Sequence, residues 1–131
     1  ETMVGASGRP AALRAAMRKL FDYEQALAAQ LIDGLRELDG VTVQGITAAD
    51  ALERRVPTVA FTHERLAPDA IASALAEENI FVWSGHNYAV EVARALGILE
   101  SGGAVRIGPV HYNSAAEIDV TLEALREIIE A

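Results

Sequence analysis

From Pro10 to Leu38 the apolar residues Leu13, Met17, Leu20, Leu27, Leu31, Leu35 and Leu38 recur in steps of three, four and seven. That spacing lays them along one stripe of a helix. Ser7 or Gly8 can cap its start, Pro10 fits its first turn, and Gly40 ends it. At 1.5 Å per residue the helix would be roughly 40 Å long. A chain of 131 residues folds to a diameter of only roughly 36 Å. The first half of the helix is therefore expected to lie against another domain, another subunit or water. Gly34, late in the helix, reads as a weak point worth about 1 kcal/mol relative to alanine.

Beyond Gly40 the period changes to two. Val41 to Gly45 alternates and predicts a short strand, Ile46 to Arg55 reads as a loop, and Val56 to Thr62 as a second strand with Pro57 at its start or on an edge. Pro68 opens a helix that turns Ile71 and Leu75 inward and closes at Asn79. Ile80 to Trp83 is continuously apolar and predicts a central strand. Ser84-Gly85-His86 is a turn, Asn87 a candidate N-cap for a helix from Tyr88 to Leu96 burying Val92 and Leu96, and Gly97 its stop. Gly102-Gly103 leads into the last strand, where Val105 and Ile107 alternate with Arg106. Ser114 and Glu117 have the spacing of a capping box, ahead of a helix burying Ile118, Leu122, Leu125 and Ile129. The order α-β-β-α-β-α-β-α predicts an α+β fold, a two-layer sandwich with a four-stranded, mostly antiparallel sheet covered by helices. Residues 1–131 read as a single domain with residues 1–9 as a flexible lead-in.

Charge and composition narrow the function classes. With 11 basic and 19 acidic side chains the net charge is −8, which argues against nucleic acid or an anionic membrane as the main partner. No apolar run approaches the roughly 20 residues that span a bilayer, no signal-peptide pattern is present, and the cytoplasm is the expected compartment. Cysteine is absent, so no disulfide, thiolate metal site or cysteine nucleophile can come from these residues. The histidines lack metal-ligand spacing, and no metal site is expected. Met3 follows Glu1 and Thr2, which reads as a fragment or a trimmed chain. Lys19 is the sole lysine; mid-helix beside Arg18, it reads as a surface residue rather than an imine-forming amine.

Arg106 is the leading site candidate. An arginine in an otherwise apolar strand must meet a carboxylate, a phosphate or backbone carbonyls. It is either a ligand clamp or half of an internal ion pair. His86 and Asn87 stand where a strand opens into a helix, a place where ligands are often met, although a turn histidine bonded to backbone is the simpler reading. His111 and Asn113 read as local turn residues, His63 receives no role, and Trp83 reads as core rather than as a stacking platform.

Val105-Arg-Ile-Gly-Pro-Val-His-Tyr-Asn-Ser-Ala-Ala-Glu-Ile-Asp119 resembles the C-terminal signature of class V aminotransferase-like enzymes, especially the cysteine desulfurase family. Arg55 to Thr62 and Ile80 to His86 look like the two strands that precede it there, and the first helix looks like the connector between two domains. The resemblance implies the small C-terminal domain of a fold-type I enzyme. Its missing large domain would bind pyridoxal 5′-phosphate through a lysine imine, its substrate would be a small-molecule amino acid, and the full-length enzyme would be a homodimer. It also implies that Arg106 binds the substrate α-carboxylate and that the isolated chain is inactive; His86 and Asn87 are further candidates to line the cleft. The pattern departs from the desulfurases in two places: no cysteine lies between Asn87 and Val105, and Trp83 stands where the desulfurases of the closest type carry arginine. The rival reading is a stand-alone α+β module that binds a small anion or dimerises for regulation.

Overall fold

The computed structural model describes residues 8–131; most of the expected lead-in, with Ser7, lies outside the described residues. Helix α1 runs from Arg9 to Arg36, with Gly8 at its cap and Pro10 in its first turn. Four strands follow among three further helices: β1 (Val41–Gln44), β2 (Val59–His63), α2 (Pro68–Glu77), β3 (Trp83–Gly85), α3 (Val90–Ala95), β4 (Ala104–Ile107) and α4 (Ala115–Glu130). The strands form one sheet in the order β1-β2-β4-β3, antiparallel throughout. This is the expected four-stranded α+β architecture.

The alternation in β2 and β4 decides which face is buried. Val59 and Phe61 pair with Ile107 and Val105, and all four point into the core. Against them pack Leu27, Leu31 and Leu35 of α1, Ile71 and Leu75 of α2, and Leu125 of α4. Because side chains alternate between the faces of a sheet, Thr42, Gln44, Ala60, Thr62, Trp83, Ala104 and Arg106 share the opposite face, and of these only Ala104 is buried. Helix α1 buries only its second half. Leu13, Met17 and Phe21 stand exposed, so the stripe continues past the core it serves, as the helix length anticipates.

Several expectations are corrected. The Ile80–Trp83 run is not a central strand: only Trp83 joins the ladder, and β3 is an edge paired to β4 alone. The run is apolar on both sides, but one side is uncovered; Ile80 and Val82 pack on the core, while Phe81 and Trp83 are exposed. Trp83 is thus not a core residue. Strand β2 starts at Val59 rather than Val56, leaving Pro57 outside the ladder. The loop from Ile46 to Arg55 contains a 3₁₀ helix, Ala49–Arg54. Asn87 does not cap α3, because Asn87 and Tyr88 have φ of 48° and 62°, a left-handed conformation that cannot begin a right-handed helix. The helix starts later, at Val90, and is capped by Ala89 without a side-chain bond. Ala93 is buried in place of Val92 and Leu96, which are exposed.

Gly34 reverses its expected role. It lies where α1 crosses α4, and a Cβ there would stand 2.2 Å from Cδ1 of Leu122 and 3.1 Å from its Cγ. The glycine is a requirement of close helix packing rather than a weak point. Ser114 caps α4 as expected: its Oγ accepts from the Glu117 backbone N–H, and the Glu117 carboxylate accepts from the Ser114 N–H at 2.7 Å. That backbone bond, followed by the Ser114 hydroxyl, holds the Glu117 carboxyl below the usual carboxylate range.

Two outcomes follow for stability. Gly34→Ala should lower the unfolding midpoint despite its better helix propensity, by about 1–2 kcal/mol net of overpacking and propensity. In a Leu122→Ala background the same substitution should be neutral or stabilising; thermal or urea unfolding of the four variants measures the coupling. For Glu117, a folded-state pKa below the unfolded value stabilises the fold above that value, and the stabilisation disappears as pH falls through the folded pKa. The gap in urea midpoint between wild type and Glu117→Gln should therefore be open at neutral pH and close as the pH is taken below about 4.

Candidate functional site

Arg106 occupies the middle of β4 with its side chain on the uncovered face of the sheet. Its cross-strand partners are Ala60 on β2 and Trp83 on β3. The residue is half-buried, and among the described residues its guanidinium takes part in no ion pair and no side-chain hydrogen bond. The acidic groups that do pair are engaged elsewhere, as in Glu24 with His111, Glu64 with Arg65, Glu91 with Arg94 and Glu123 with Arg126. Of the two readings of Arg106, the internal ion pair is not realised among the described residues. A guanidinium with its donors open can take a carboxylate or phosphate oxygen pair in bidentate geometry.

The other expected site residues lie on the turn that leaves β3. Gly85 pairs with Ala104, two residues before Arg106, so the turn stands at the end of β4 where that strand enters the sheet. Its shape is held from several sides. Asn87 Nδ2 donates to the Gly85 carbonyl at 3.1 Å, and the Ala89 N–H donates to the His86 carbonyl at 2.8 Å. Gly103, at φ +86°, presses so close that a Cβ would stand 2.3 Å from the Gly85 carbonyl carbon. Ser84 Oγ donates to Asp69 at 2.6 Å, tying β3 to the start of α2. His86 is exposed and its ring has no hydrogen-bond partner among the described residues; Asn87 is half-buried, and Tyr88 is fully open to solvent. Consecutive left-handed non-glycine residues are costly, and such strain gathers at functional turns.

The loop after β4 is fastened to α1 by residues that sequence inspection did not single out. The Glu24 carboxylate accepts from the His111 N–H at 3.0 Å and lies 3.4 Å from Nδ1 of its ring. Tyr23 Oη donates to the Asn113 carbonyl at 2.6 Å. Gln30 donates to Asp119 at 2.6 Å. Asn113 closes its own turn by accepting from the Val110 N–H, as expected of a turn residue, whereas His111 reaches another helix. Ahead of β2 the Arg55 guanidinium donates to the Ile46 and Thr58 carbonyls, and burial lowers its pKa from the ordinary arginine value. His63 shapes the entry to α2, because its Nδ1 accepts from the N–H groups of Arg65 and Leu66 at 3.1 and 3.0 Å. The α1 bonds join residues up to 90 positions apart, so no local spacing announces them.

A groove of about 720 Å³ opens where Ile80–Val82 and Gly108–Val110 part, with α4 along its side. Arg106 does not line it. The face that carries Arg106 is an open sheet surface rather than a pocket. No group of His, Asp and Glu among the described residues could hold a metal ion, and none of the described helices is long and apolar enough to cross a membrane.

The sequence matches the aminotransferase class-V family over residues 4–121. The chain belongs to that family. Among curated class-V relatives it is 32% identical over 109 residues to the aminotransferase-like protein FGM3 of Gibberella zeae, an alignment covering 82% of this chain and 27% of that protein. It is 32% identical over 113 residues to a probable cysteine desulfurase of Pyrococcus abyssi, covering 86% of this chain and 26% of that protein. In structure it superimposes on the apo cysteine desulfurase of Thermococcus onnurineus with a TM-score of 0.78 and 30% identity, over 92% of this chain and 29% of that one. The chain spans about a quarter of the length of the class-V relatives it matches.

The contact between Gly103 and Gly85 predicts that Gly103→Ala shifts the turn carrying His86 and Asn87. Unfolding should become easier by on the order of 3 kcal/mol, with chemical-shift changes concentrated at residues 84–89. A variant with wild-type stability and an unmoved His86 resonance would count against this contact as the turn's constraint.

Proposed function

We propose that this chain is the small C-terminal domain of a pyridoxal-phosphate-dependent class-V enzyme acting on an amino acid, and that Arg106 receives the substrate α-carboxylate. The observation that carries the reading is the guanidinium on the uncovered face of β4, placed in mid-strand with no partner among the described residues. The class-V resemblance over nearly the whole sequence supports it. A bidentate arginine orients a carboxylate as well as holding it, which is what an amino-acid enzyme needs before a bond at Cα can be broken. His86 and Asn87, on the strained turn beside it, would line the same cleft.

The described residues do not fit the cofactor itself. Lys19 is exposed on the outer half of α1, and no cluster of side chains around it offers an imine site. The cofactor and its lysine would belong to the remaining part of a longer polypeptide, and the chain alone would be inactive. The exposed stripe Leu13, Met17 and Phe21 on α1 suits a connector that continues onto such a neighbour. The full-length enzyme would be a homodimer, as the family resemblance implies, with the cytoplasm as its expected compartment.

The visible absorption of the full-length gene product, before and after borohydride, tests the reading. A yellow protein bleached by reduction supports it. A colourless product that stays colourless with added pyridoxal phosphate overturns it and favours a small-anion-binding module. Within the enzyme, Arg106→Ala should raise KM for the amino acid and lower kcat/KM by on the order of a hundredfold, corresponding to about 3 kcal/mol for a charge-assisted pair. Folded stability should change by no more than about 0.5 kcal/mol, because the side chain is only half-buried and unpaired. Arg106→Lys should recover only part of the activity, since an ammonium is a point charge without the planar fork.

A further inference from the structure

We infer that Trp83 sets the substrate class at Arg106, selecting an α-amino acid with an apolar or aromatic side chain. The inference rests on the reading of Arg106 as the carboxylate site and adds what lies beside it. Directly opposed residues in an antiparallel pair have their Cβ atoms about 4.5–5.5 Å apart on one face. Arg106 has two such neighbours, Ala60 on β2 and Trp83 on β3. A ligand held by Arg106 that runs across the strands on this face therefore meets a methyl group on the β2 side and an indole on the β3 side. The methyl leaves room, and the indole supplies a wall.

Trp83 is free to be that wall. It is 69% exposed although it lies within the sheet, and no aromatic or cation–π partner engages it among the described residues. An exposed indole presents a large apolar face that gains most when a ligand covers it. Charge decides between the classes of side chain that could do so. The strand positions on this face are Thr42, Gln44, Ala60, Thr62, Trp83, Gly85 and Ala104 around Arg106, and none of these strand positions supplies a second cation to hold an acidic side chain or a carboxylate to hold a basic one. A cationic side chain stacked on the indole would also lie within reach of the Arg106 guanidinium and be repelled by it. An apolar or aromatic side chain meets neither obstacle.

Equilibrium binding to the full-length protein tests this without reference to the reaction. Two unreactive carboxylates serve as probes, 3-phenylpropanoate and acetate, titrated by calorimetry. Wild type should bind phenylpropanoate at least tenfold more tightly than acetate. Trp83→Ala should remove that preference while leaving acetate binding within twofold, and Trp83→Phe should keep most of it. Because Trp83 is exposed, the variants should melt with wild-type midpoints. Arg106→Ala should weaken both probes. Loss of both probes in Arg106→Ala with phenylpropanoate binding unchanged in Trp83→Ala overturns the role of the indole alone. Phenylpropanoate binding that survives Arg106→Ala overturns the carboxylate reading beneath it. No preference for phenylpropanoate in wild type also overturns the inference.

Discussion

Everything at the site depends on the sheet being covered on one face only. Val59, Phe61, Val105 and Ile107 drive that face against α1, α2 and α4, and burying apolar side chains of this size supplies about 1.5–3 kcal/mol each. The alternation that turns them inward turns Arg106 and Trp83 outward by geometric necessity. The guanidinium can stay charged and unpaired within a strand because that second face is open. Had helices covered both faces, an arginine at this position would have needed an internal carboxylate.

Close approach to the backbone is the second constraint, and Gly34 and Gly103 meet it where it shapes the helical layer and the site. Gly34 lets α4 press Leu122 onto α1, and Gly103 lets the entry to β4 press on the end of β3. The first sets the helical layer, and the second sets the turn that carries His86 and Asn87. Around them, long side chains tie distant loops to rigid elements: Tyr23, Glu24 and Gln30 of α1 hold the segment after β4, and Arg55 gathers carbonyls ahead of β2. Arg106 is thus fixed at both ends of its strand, by glycine packing before it and by bonds to α1 after it. A binding group gains precision when the elements beside it are held in this way.

Legibility in the sequence followed the range of the interactions. The helical stripe of α1, the Ser114–Glu117 box and the β4 alternation are encoded within a few residues, and each forms as read. Misreadings arose where the outcome depended on what packs nearby. The Ile80–Trp83 run could not tell one covered side from two, so a segment read as central became an edge with Phe81 and Trp83 exposed. Asn87 has the chemistry of an N-cap, but its left-handed backbone bonds back to Gly85 instead. Gly34 looked like a helix defect because Leu122 is 88 positions away in the chain.

The sequence by itself determined the element order, the α+β class, the class-V resemblance and the identity of Arg106 as the residue with unusual chemistry, because periodicity and motif are local properties of the chain. Only the tertiary structure decided that Arg106 has no partner among the described residues, that Trp83 stands opposite it on an open face, and that His86 and Asn87 ride on a strained turn pinned by Gly103. Those facts depend on strand register and on which face the helices leave bare, and both are settled by contacts between residues far apart in sequence.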